Sequence, residues 1–379
     1  MTRPGPMRGA ATSVVATLAG SASAVGEALA GLPPAVRCVE VRADLCGDID
    51  PQSLRRHFDG DLLYTLRSIA DGGRCADPEH RRRERLCAAA DCYDLVDLEV
   101  DRDLDATLLD RIAPPRRVLS WHGPATDLEG LCRRFGQMAA TEARLYRLAP
   151  AASTLGEALV PLRLLSTIGR GDVTAYARGP AGMWTRVLAP RFGTPVAFAT
   201  LDLPADAGGP VGGLPGGGSP VGGPPDGELP VARLLAHYPL QALSGVEEVY
   251  GIIGASVAKS LTPLVNNTAY RSLGLPALFL PFPTGELPQS LAELRTGLDE
   301  LDLPLKGATV TSPHKEAALS LAAEATPLAR RAGAASLVVR RAEGWWVDTE
   351  AAGVVATLAG RGVEVAGRRA AVIGCGGGG

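Results

Sequence analysis

The chain has 379 residues, 46% of them hydrophobic, so it is long enough for two domains and can bury a sizeable core. Its formal net charge of −3 gives no basic field for a nucleic-acid backbone, and we interpret the arginine-rich stretch 81–85 as one solvated helix face. No apolar run reaches the length of a membrane span, and the seven cysteines form no CxxC pair. We therefore expect a cytoplasmic protein with reduced thiols, no metal site, no nucleic-acid partner and no membrane partner.

The first part of the chain alternates between strand-like and helix-like patterns. Runs rich in valine, leucine and aromatic residues recur about every 20–30 residues, each followed by helical spacing. The predicted strands are 13–18, 36–42, 61–67, 95–100, 117–121, 143–149, 173–177 and 195–201. Eight strand–helix units in roughly 230 residues predict an α/β fold of the (β/α)8, or TIM-barrel, type. We place this barrel at 12–243.

A stretch rich in glycine and proline at 204–228 interrupts this pattern. Such a composition buries too little surface to offset its ordering entropy, so it is either a linker between domains or an expanded loop after the eighth strand. We favour the loop, because 231–242 still has helical spacing and would supply the eighth helix of the barrel.

Charged residues stand at the ends of several predicted strands. Glu40 and Arg42 end the second strand, Arg67 the third and Glu99 the fourth, and His122 follows the fifth. Because catalytic groups of such barrels lie at the carboxyl ends of the strands, we expect these side chains to converge on one mouth. The alternative is that charged residues simply end strands in general.

A second α/β pattern begins after residue 246, and we assign 246–366 to a second domain. Its predicted strands are 248–253, near 277–281 and 306–311. Its predicted helices are 263–273, 287–300, one that opens at Pro313, and 350–361.

Two motifs in this domain carry hydroxyl groups and a lysine. In "YGIIGASVAKSLTPLVNNTAY", Ser260 and Thr262 come directly before a helix that Pro263 begins. In "KGATVTSPHKEAAL", Thr311 ends a strand and Lys315 lies in the first turn of a helix. Hydroxyls beside a helix N-terminus suit a carboxylate ligand. Alternatively, the hydroxyls are N-caps and the lysine is solvated.

Together these motifs resemble two enzyme families. The second domain resembles the substrate-binding half of shikimate dehydrogenases, with loops of the form S-x-S-P and N-V-T-x-P-H-K-E. The barrel resembles type I 3-dehydroquinate dehydratases through "VEVRADL", "TLRS" with "DGG", "VDLEV", "SWHGP" and "MWTRVLAPRFG". From about residue 12 onward, the chain is thus similar to the bifunctional dehydratase–dehydrogenases of the shikimate pathway, which leads to chorismate and the aromatic amino acids.

The resemblance implies roles for polar residues of the barrel. Glu40, Arg42 and Arg67 would hold the hydroxyls and ring of a cyclic substrate, and Arg186 would pair with its carboxylate. His122 would be the general acid and base.

The nucleophile of the barrel is changed. The family forms a Schiff base from a lysine on the sixth strand, and Arg147 occupies that position here. Arginine stays protonated and cannot attack a ketone as a neutral amine. The chain's lysines, at 259, 306 and 315, all lie beyond the barrel. We predict that the barrel cannot perform imine-type dehydration and serves to bind a ligand or as a scaffold.

The dehydrogenase-like half keeps more of its family's pattern. Lys315 stands at the catalytic lysine position, and Glu350, in "VDTEAAG", replaces its usual aspartate partner. Hydroxyl residues replace two family asparagines, at 309 and 336. The substrate-binding residues implied by the resemblance are Ser260, Thr262, Thr309, Thr311 and Ser336. We expect this site to recognise a polyhydroxylated cyclic acid.

The final stretch, "AAVIGCGGGG", reads as a strand, 369–374, that runs into a glycine-rich phosphate loop. By resemblance, 367–379 is the start of a truncated Rossmann domain for NADP. Its cofactor-binding residues would be Gly374, Gly376, Gly377 and Gly379.

The leading hypothesis is an enzyme that reduces 3-dehydroshikimate to shikimate with NADPH and carries a diverged dehydratase barrel. Its small-molecule partners would be 3-dehydroquinate, 3-dehydroshikimate and shikimate. Two alternatives remain: a non-catalytic ligand-binding homologue, and an incomplete copy of an active enzyme.

Overall fold

The computed structural model describes residues 12–20, 25–201, 228–364 and 366–369. Two compact units account for them. Unit 1 contains the described residues up to Ser244 except a short segment, Thr154–Gly156, and unit 2 contains that segment and the described residues from Gly245 onward. The predicted glycine-rich cofactor loop lies outside the described residues, as does the stretch 204–228 apart from Glu228.

Unit 1 is built on eight parallel strands. They are β1 Ser13–Leu18, β2 Val36–Arg42, β3 Asp61–Thr65, β4 Leu95–Glu99, β5 Arg117–Trp121, β6 Leu145–Leu148, β7 Val173–Ala175 and β8 Val196–Thr200. Neighbours along the sheet follow the order β7-β6-β5-β4-β3-β2-β1-β8. The predicted barrel architecture is confirmed, with β3, β4, β6, β7 and β8 each one to three residues shorter than the sequence pattern indicates.

Helices follow most of these strands. They are α1 Val25–Ala30, α2 Ala43–Cys46, α3 Pro51–Arg55, α4 Glu79–Cys92, α5 Ala106–Arg111, α6 Leu128–Met138, α7 Leu155–Ile168, α8 Met183–Leu188 and α9 Val231–His237. The helix predicted at 231–242 ends early, because the residue before Pro239 is disfavoured in a helix, and a 3-10 helix takes over at Leu240–Gly245. None of the described helices combines the length and apolarity needed to cross a bilayer.

Threonine side chains join the two end strands of the sheet. Thr194, two residues before β8, donates its hydroxyl to the carbonyl of Val173 on β7 at 3.2 Å. In the other direction, Thr174 of β7 donates to the carbonyl of Val196 at 3.3 Å. Between β7 and β8, where this nearly closed barrel would close, side-chain hydrogen bonds thus join the strands in place of some backbone hydrogen bonds.

The barrel interior is layered by the two-residue period of the strands. One apolar layer consists of Val15, Cys38, Leu63, Leu95, Val118, Leu145 and Phe198, all buried in one cluster. Side chains two residues further along each strand share its inward face. Those next residues are Thr17, Glu40, Thr65, Asp97, Ser120, Arg147 and Thr200, every one polar and buried. A polar layer therefore sits above the apolar one, toward the carboxyl ends of the strands.

The arginine-rich stretch on α4 is not one solvated face, so that interpretation was wrong. Arg82 is only 2% exposed and pairs through two nitrogens with Asp103, at 2.7 and 2.6 Å. Asp103 follows β4, and it supplies the paired carboxylate that a buried guanidinium requires.

Unit 2 is built around a mixed six-stranded sheet. Its strands are β9 Glu248–Gly254, β10 Ala277–Pro283, β11 Leu305–Val310, β12 Ala322–Ala325, β13 Leu337–Arg341 and β14 Gly344–Asp348, in the order β10-β9-β11-β13-β14-β12. Its helices are α10 Thr262–Leu273, α11 Leu287–Glu300, α12 Lys315–Ser320, α13 Pro327–Ala332 and α14 Ala351–Gly360. The helix expected to open at Pro313 begins two residues later, at Lys315, because 312–313 forms a turn.

Candidate functional site

Glu40 of β2 is the hub of the polar layer in the barrel. Thr17 and Thr65 donate their hydroxyls to its carboxylate at 2.8 and 2.9 Å, and Arg147 Nη1 donates to Oε1 at 2.7 Å. Burial alone would raise the pKa of Glu40, but the guanidiniums of Arg147, Arg67 and Arg42 outweigh it and lower the pKa to about 2. The carboxylate is therefore ionised and fully hydrogen-bonded at neutral pH.

Arg147 of β6 is held as a cation on several sides. Its Nε donates to the Tyr176 hydroxyl at 2.7 Å, and its Cζ lies 3.8 Å from the centre of the Phe198 ring. Burial opposes the charged form, but Glu40, Tyr176 and Asp97 raise the pKa of Arg147 well above its usual value. The position that resemblance assigns to a Schiff-base lysine therefore carries a permanent positive charge.

Asp97 of β4 also belongs to this layer, although its sequence position gave it no predicted role. Its Oδ1 accepts from the Ser120 hydroxyl, and its Oδ2 lies 3.8 Å from Arg147 Nη1. Burial raises the pKa of Asp97 to about 6, against the opposing effect of Arg147. The period-two pattern of polar residues along the strands is the signal that would have identified it.

Arg186 lies on α8, with its guanidinium over the ring of Tyr176 at 3.9 Å. Its Nη1 donates to Glu228 Oε1 at 3.1 Å, and Arg147 Nη2 lies 3.8 Å from the same oxygen. Resemblance assigns Arg186 to a substrate carboxylate, and the structure places a carboxylate of the chain itself there. Sequence reasoning missed Glu228, which stands at the edge of a stretch with no helical or strand pattern.

His122, directly after β5, is 2% exposed. Asp71 accepts the His122 backbone N–H at 3.2 Å, and its Oδ2 lies 3.4 Å from the ring Nδ1. Burial, and then the positive charges of Arg67 and Arg147, lower the pKa of His122 well below its usual value. The ring is therefore neutral at pH 7 and is able to accept a proton.

Glu99 and Arg42 are engaged at the same mouth of the barrel. The Ser68 backbone N–H donates to Glu99 Oε1 at 2.7 Å, and Arg82 Nη2 lies 3.3 Å from Oε2. Burial raises the pKa of Glu99 to about 7 in spite of Arg82. Arg42 pairs with Asp44 at 2.8 and 2.9 Å. Arg42 and Glu99 thus each have a charged partner near the end of their own strand, and their convergence on one ligand stays a prediction.

The first hydroxyl pair of unit 2 lies at the start of α10. The Ser260 hydroxyl donates to Thr262 Oγ1 at 2.8 Å and accepts the Thr262 backbone N–H at 3.1 Å. Both side chains are half-buried. The N-cap position is Leu261, with no side-chain cap, so neither hydroxyl is the N-cap that the alternative predicts. Ser260 instead binds the first residue of the helix, and this holds both hydroxyls in one small volume.

Thr311 directly follows β11, which lies beside β9 in parallel. A Cβ added to Gly254, at the end of β9, would lie 2.2 Å from Thr311 Cγ2, so only glycine permits this close approach. Because the carboxyl ends of parallel strands meet at one edge of a sheet, Thr311 and the loop after β9 share that edge. Thr309, two residues earlier on β11, is half-buried on the same strand face.

Lys315 and Glu350 form an ion pair, with Lys315 Nζ donating to Glu350 Oε1. Lys315 is the first residue of α12, and Glu350 directly precedes α14. The Ser336 hydroxyl accepts the Glu350 backbone N–H at 3.0 Å, so Ser336 fixes the segment that carries Glu350. The structure thus joins the two residues to which resemblance gives the catalytic lysine and its carboxylate partner.

Comparison with known families agrees with this arrangement. The family model described as type I 3-dehydroquinase matches residues 14–211, just over half of the chain. The one described as shikimate dehydrogenase substrate binding domain matches residues 252–338.

Some of the similar proteins cover both parts of this chain, and others cover the second part alone. A bifunctional 3-dehydroquinate dehydratase/shikimate dehydrogenase of Arabidopsis thaliana is 25% identical over 80% of this chain and 48% of its own length. The shikimate biosynthesis protein AroDE of Chlamydia pneumoniae is 25% identical over 90% of this chain and 67% of its own length. A shikimate dehydrogenase (NADP(+)) of Syntrophobacter fumaroxidans is 38% identical over 34% of this chain and 43% of its own.

The chain therefore spans less than half the length of the Arabidopsis and Syntrophobacter relatives. Its first unit has the barrel of the dehydratases, and its second carries the paired lysine and carboxylate. The chain belongs to the type I 3-dehydroquinase family, and it carries after that domain the substrate-binding domain of a shikimate dehydrogenase, as in the bifunctional proteins of the shikimate pathway.

Proposed function

We propose that unit 2 binds 3-dehydroshikimate and shikimate and supplies Lys315 and Glu350 for their NADPH-dependent interconversion. The observation that carries this proposal is the ion pair between the two side chains, which have exposed fractions of 16% and 50%. Partial exposure leaves the Lys315 ammonium accessible to a ligand, and Glu350 limits its orientations.

The chemistry asked of this pair is charge stabilisation at one oxygen. Reduction of a ketone develops negative charge on its oxygen, and the Lys315 ammonium would stabilise that charge and deliver a proton from Nζ. Glu350 would hold Nζ in position. NADPH, when bound, supplies the hydride. The residues predicted to bind it are glycines that lie outside the described part of the chain.

Hydroxyl groups would hold the substrate. Ser260 and Thr262 share one small volume at the start of α10, and Thr311 stands at the same edge of the sheet. Each hydroxyl both donates and accepts, so the set suits a ring with several hydroxyls and a carboxylate. Ser336 acts differently, because its hydroxyl already accepts the Glu350 backbone N–H.

For the barrel, we propose ligand binding without imine chemistry. Arg147 is a permanent cation hydrogen-bonded to Glu40 and Tyr176, so it offers no lone pair to a ketone. The remaining polar layer and His122 still present hydrogen-bonding groups to the interior. Binding of a polyhydroxylated ring is the function that these groups support.

A titration of the full chain with shikimate tests the proposal for unit 2. We expect binding to wild type and about tenfold weaker binding to Ser260→Ala, since a hydrogen bond to a charged group contributes about 1.5–3 kcal/mol. Thr268→Ala, which removes an exposed hydroxyl from the same helix, is the matched control and should bind like wild type. Lack of shikimate binding by the folded wild-type chain would refute the proposal.

A further inference from the structure

The centre of the barrel is charge-balanced by the chain itself. Among the described residues, Arg67, Arg147 and Arg186 are buried together with three carboxylates, Glu40, Asp97 and Glu228. Two further buried arginines, Arg42 and Arg82, have carboxylate partners of their own in Asp44 and Asp103. A site that recognises a carboxylate ligand normally keeps an excess of positive charge for it. In this barrel the excess is cancelled by the third carboxylate, at residue 228.

Glu228 binds Arg186, the side chain that resemblance assigns to the carboxylate of a ligand. Its Oε1 lies 3.1 Å from Arg186 Nη1 and 3.8 Å from Arg147 Nη2, so one oxygen bridges two guanidiniums. The side chain is 3% exposed. The backbone around it is anchored, because the Thr200 N–H of β8 donates to the carbonyl of Leu229 at 2.9 Å.

An anionic ligand would have to compete with this carboxylate. If it shared Arg186 with Glu228, two negative charges would meet in a buried site, which is strongly unfavourable. If it displaced Glu228, a buried carboxylate would lose its partner at a large free-energy cost. Both routes penalise a carboxylate and leave a neutral ligand unaffected.

Other atoms of the interior still require hydrogen-bond partners. Within the described part of the chain, no hydrogen-bond partner is found for His122 Nδ1 and Nε2, for Asp97 Oδ2 or for Arg147 Nη2, although three of these atoms lie within 4 Å of a charged group. All four atoms are buried. Buried polar atoms are almost always hydrogen-bonded. Hydroxyl groups satisfy such a mixture of donors and acceptors, because each hydroxyl does both.

We infer that Glu228 is a specificity-determining residue that closes the barrel site to carboxylates, so that this site takes an uncharged polyhydroxylated ring. The inference rests on the proposed role of the barrel as a ligand-binding site and is independent of the chemistry proposed for unit 2. It separates this barrel from one in which Arg186 is available to the carboxylate of a cyclic acid.

The test compares quinate with its methyl ester, which has the same ring hydroxyls and no charge. Binding to the full-length chain is followed by NMR of histidine-labelled protein, through the imidazole signals of His122, assigned with His122→Gln. We expect wild type to bind the ester at least about tenfold more tightly than quinate. Glu228→Gln should bind quinate at least about tenfold more tightly than wild type does, with the ester affinity changed less than about threefold.

Two further variants complete the design. Glu228→Asp keeps the charge and should keep the rejection of quinate, and Glu129→Gln, at an 85% exposed position on α6, should behave like wild type. The inference is overturned if wild type binds quinate as tightly as the ester, if wild type binds neither, or if folded Glu228→Gln gains no affinity for quinate. If Glu228→Gln does not fold, the inference is tested by the affinities of wild type and Glu228→Asp for quinate and for its methyl ester. Shikimate binding to wild type that Ser260→Ala weakens, and that leaves the His122 imidazole signals in place, reports on unit 2 alone, so the two proposals fail separately.

Discussion

Arg147 Nη1 donates a 2.7 Å hydrogen bond to Glu40 Oε1, with both side chains fully buried at the centre of the barrel. The pair fixes a cation at the position to which the resemblance assigns the Schiff-base lysine. A guanidinium in this place can orient a ligand through its N–H groups, but it cannot form a covalent intermediate with a ketone.

Borohydride trapping should therefore find no adduct on the barrel. When the wild-type chain is treated with borohydride in the presence of 3-dehydroquinate, we expect no mass increase on any peptide from 12–243. Intact-mass measurement and peptide mapping check this outcome. A reduced adduct on a barrel peptide of the wild-type chain would show that the barrel retains imine chemistry.

A positive control for trapping needs a lysine amine at position 147 and a barrel site that admits the carboxylate of 3-dehydroquinate. The double variant Arg147→Lys, Glu228→Gln introduces a lysine and removes the competing carboxylate. We expect a trapped adduct at residue 147 in this variant. The chain's own lysines, at 259, 306 and 315, all map outside barrel peptides, so their modification is readily distinguished.

Removal of the buried cation should destabilise unit 1 strongly. Arg147→Met removes a guanidinium that is hydrogen-bonded to the buried Glu40 carboxylate, and we expect a loss of about 3–5 kcal/mol in the free energy of unfolding. Chemical denaturation measures it. Arg133→Met, which breaks an exposed pair with Glu129 on α6, should cost less than about 1 kcal/mol.

The double variant Arg147→Met, Glu40→Gln separates pairing from packing. If the Arg147–Glu40 pair dominates, the double variant should be more stable than the sum of the two single effects predicts. Strict additivity would contradict the assignment of Glu40 as the main partner of Arg147.

Protonation of His122 should couple pH to stability. The folded state lowers the pKa of His122 well below 6.5, so below that pH the unfolded chain binds more protons than the folded chain. Stability contributed by the neutral ring is present above pH 6.5 and is lost as pH falls. Between pH 7.0 and 5.5, wild type should lose about 1 kcal/mol more than His122→Gln, at about 1.4 kcal/mol per pH unit.

Urea unfolding of both proteins at the two pH values checks this difference, and contributions from other titrating groups cancel in the comparison. Equal losses for wild type and His122→Gln would mean that His122 is protonated as readily in the folded chain as in the unfolded one.

Positioning of Lys315 should affect turnover more than binding. Lys315→Met should abolish reduction of 3-dehydroshikimate, Glu350→Gln should lower kcat by roughly 10–100-fold, and Ser336→Ala should have a smaller effect in the same direction. Shikimate affinity should change less than about fivefold in Glu350→Gln. A large rise in KM with unchanged kcat would place Glu350 among the binding groups.

Gly254 should tolerate no larger residue. In Gly254→Ala the new methyl group would meet Thr311 Cγ2 at 2.2 Å, so either the strand ends separate or Thr311 moves. We expect a loss of about 1–3 kcal/mol in stability and weaker shikimate binding. Gly285→Ala, where no atom lies within 4 Å of the added Cβ, is the matched control and should leave both unchanged.

Strand positions in the barrel were predictable because period-two patterning follows directly from pleat geometry. The same two-residue pattern also predicts which polar residues face the barrel interior. Asp97 lies two residues after Leu95, as Glu40 lies two residues after Cys38, and both are buried and polar. The burial of Arg82 was not predictable, because a helical run of arginines looks the same in the sequence whether the arginines face solvent or pair with a buried carboxylate. Here the partner is Asp103, which is distant in the sequence.

The sequence alone determined that the barrel carries arginine at the position that resemblance assigns to a lysine, and that unit 2 has a lysine with a carboxylate further along the chain. These statements depend on residue identity, and a guanidinium stays charged in any environment. Only the tertiary structure decided which charges meet: Glu228 with Arg186, and Glu350 with Lys315. The partners are 42 residues apart in the first pair and 35 in the second. Their contact therefore depends on the path that the intervening residues take through the fold. The sequence pattern determines which strand carries a charged residue. The register of the strands and the path of the chain between them determine which residue of opposite charge lies beside it.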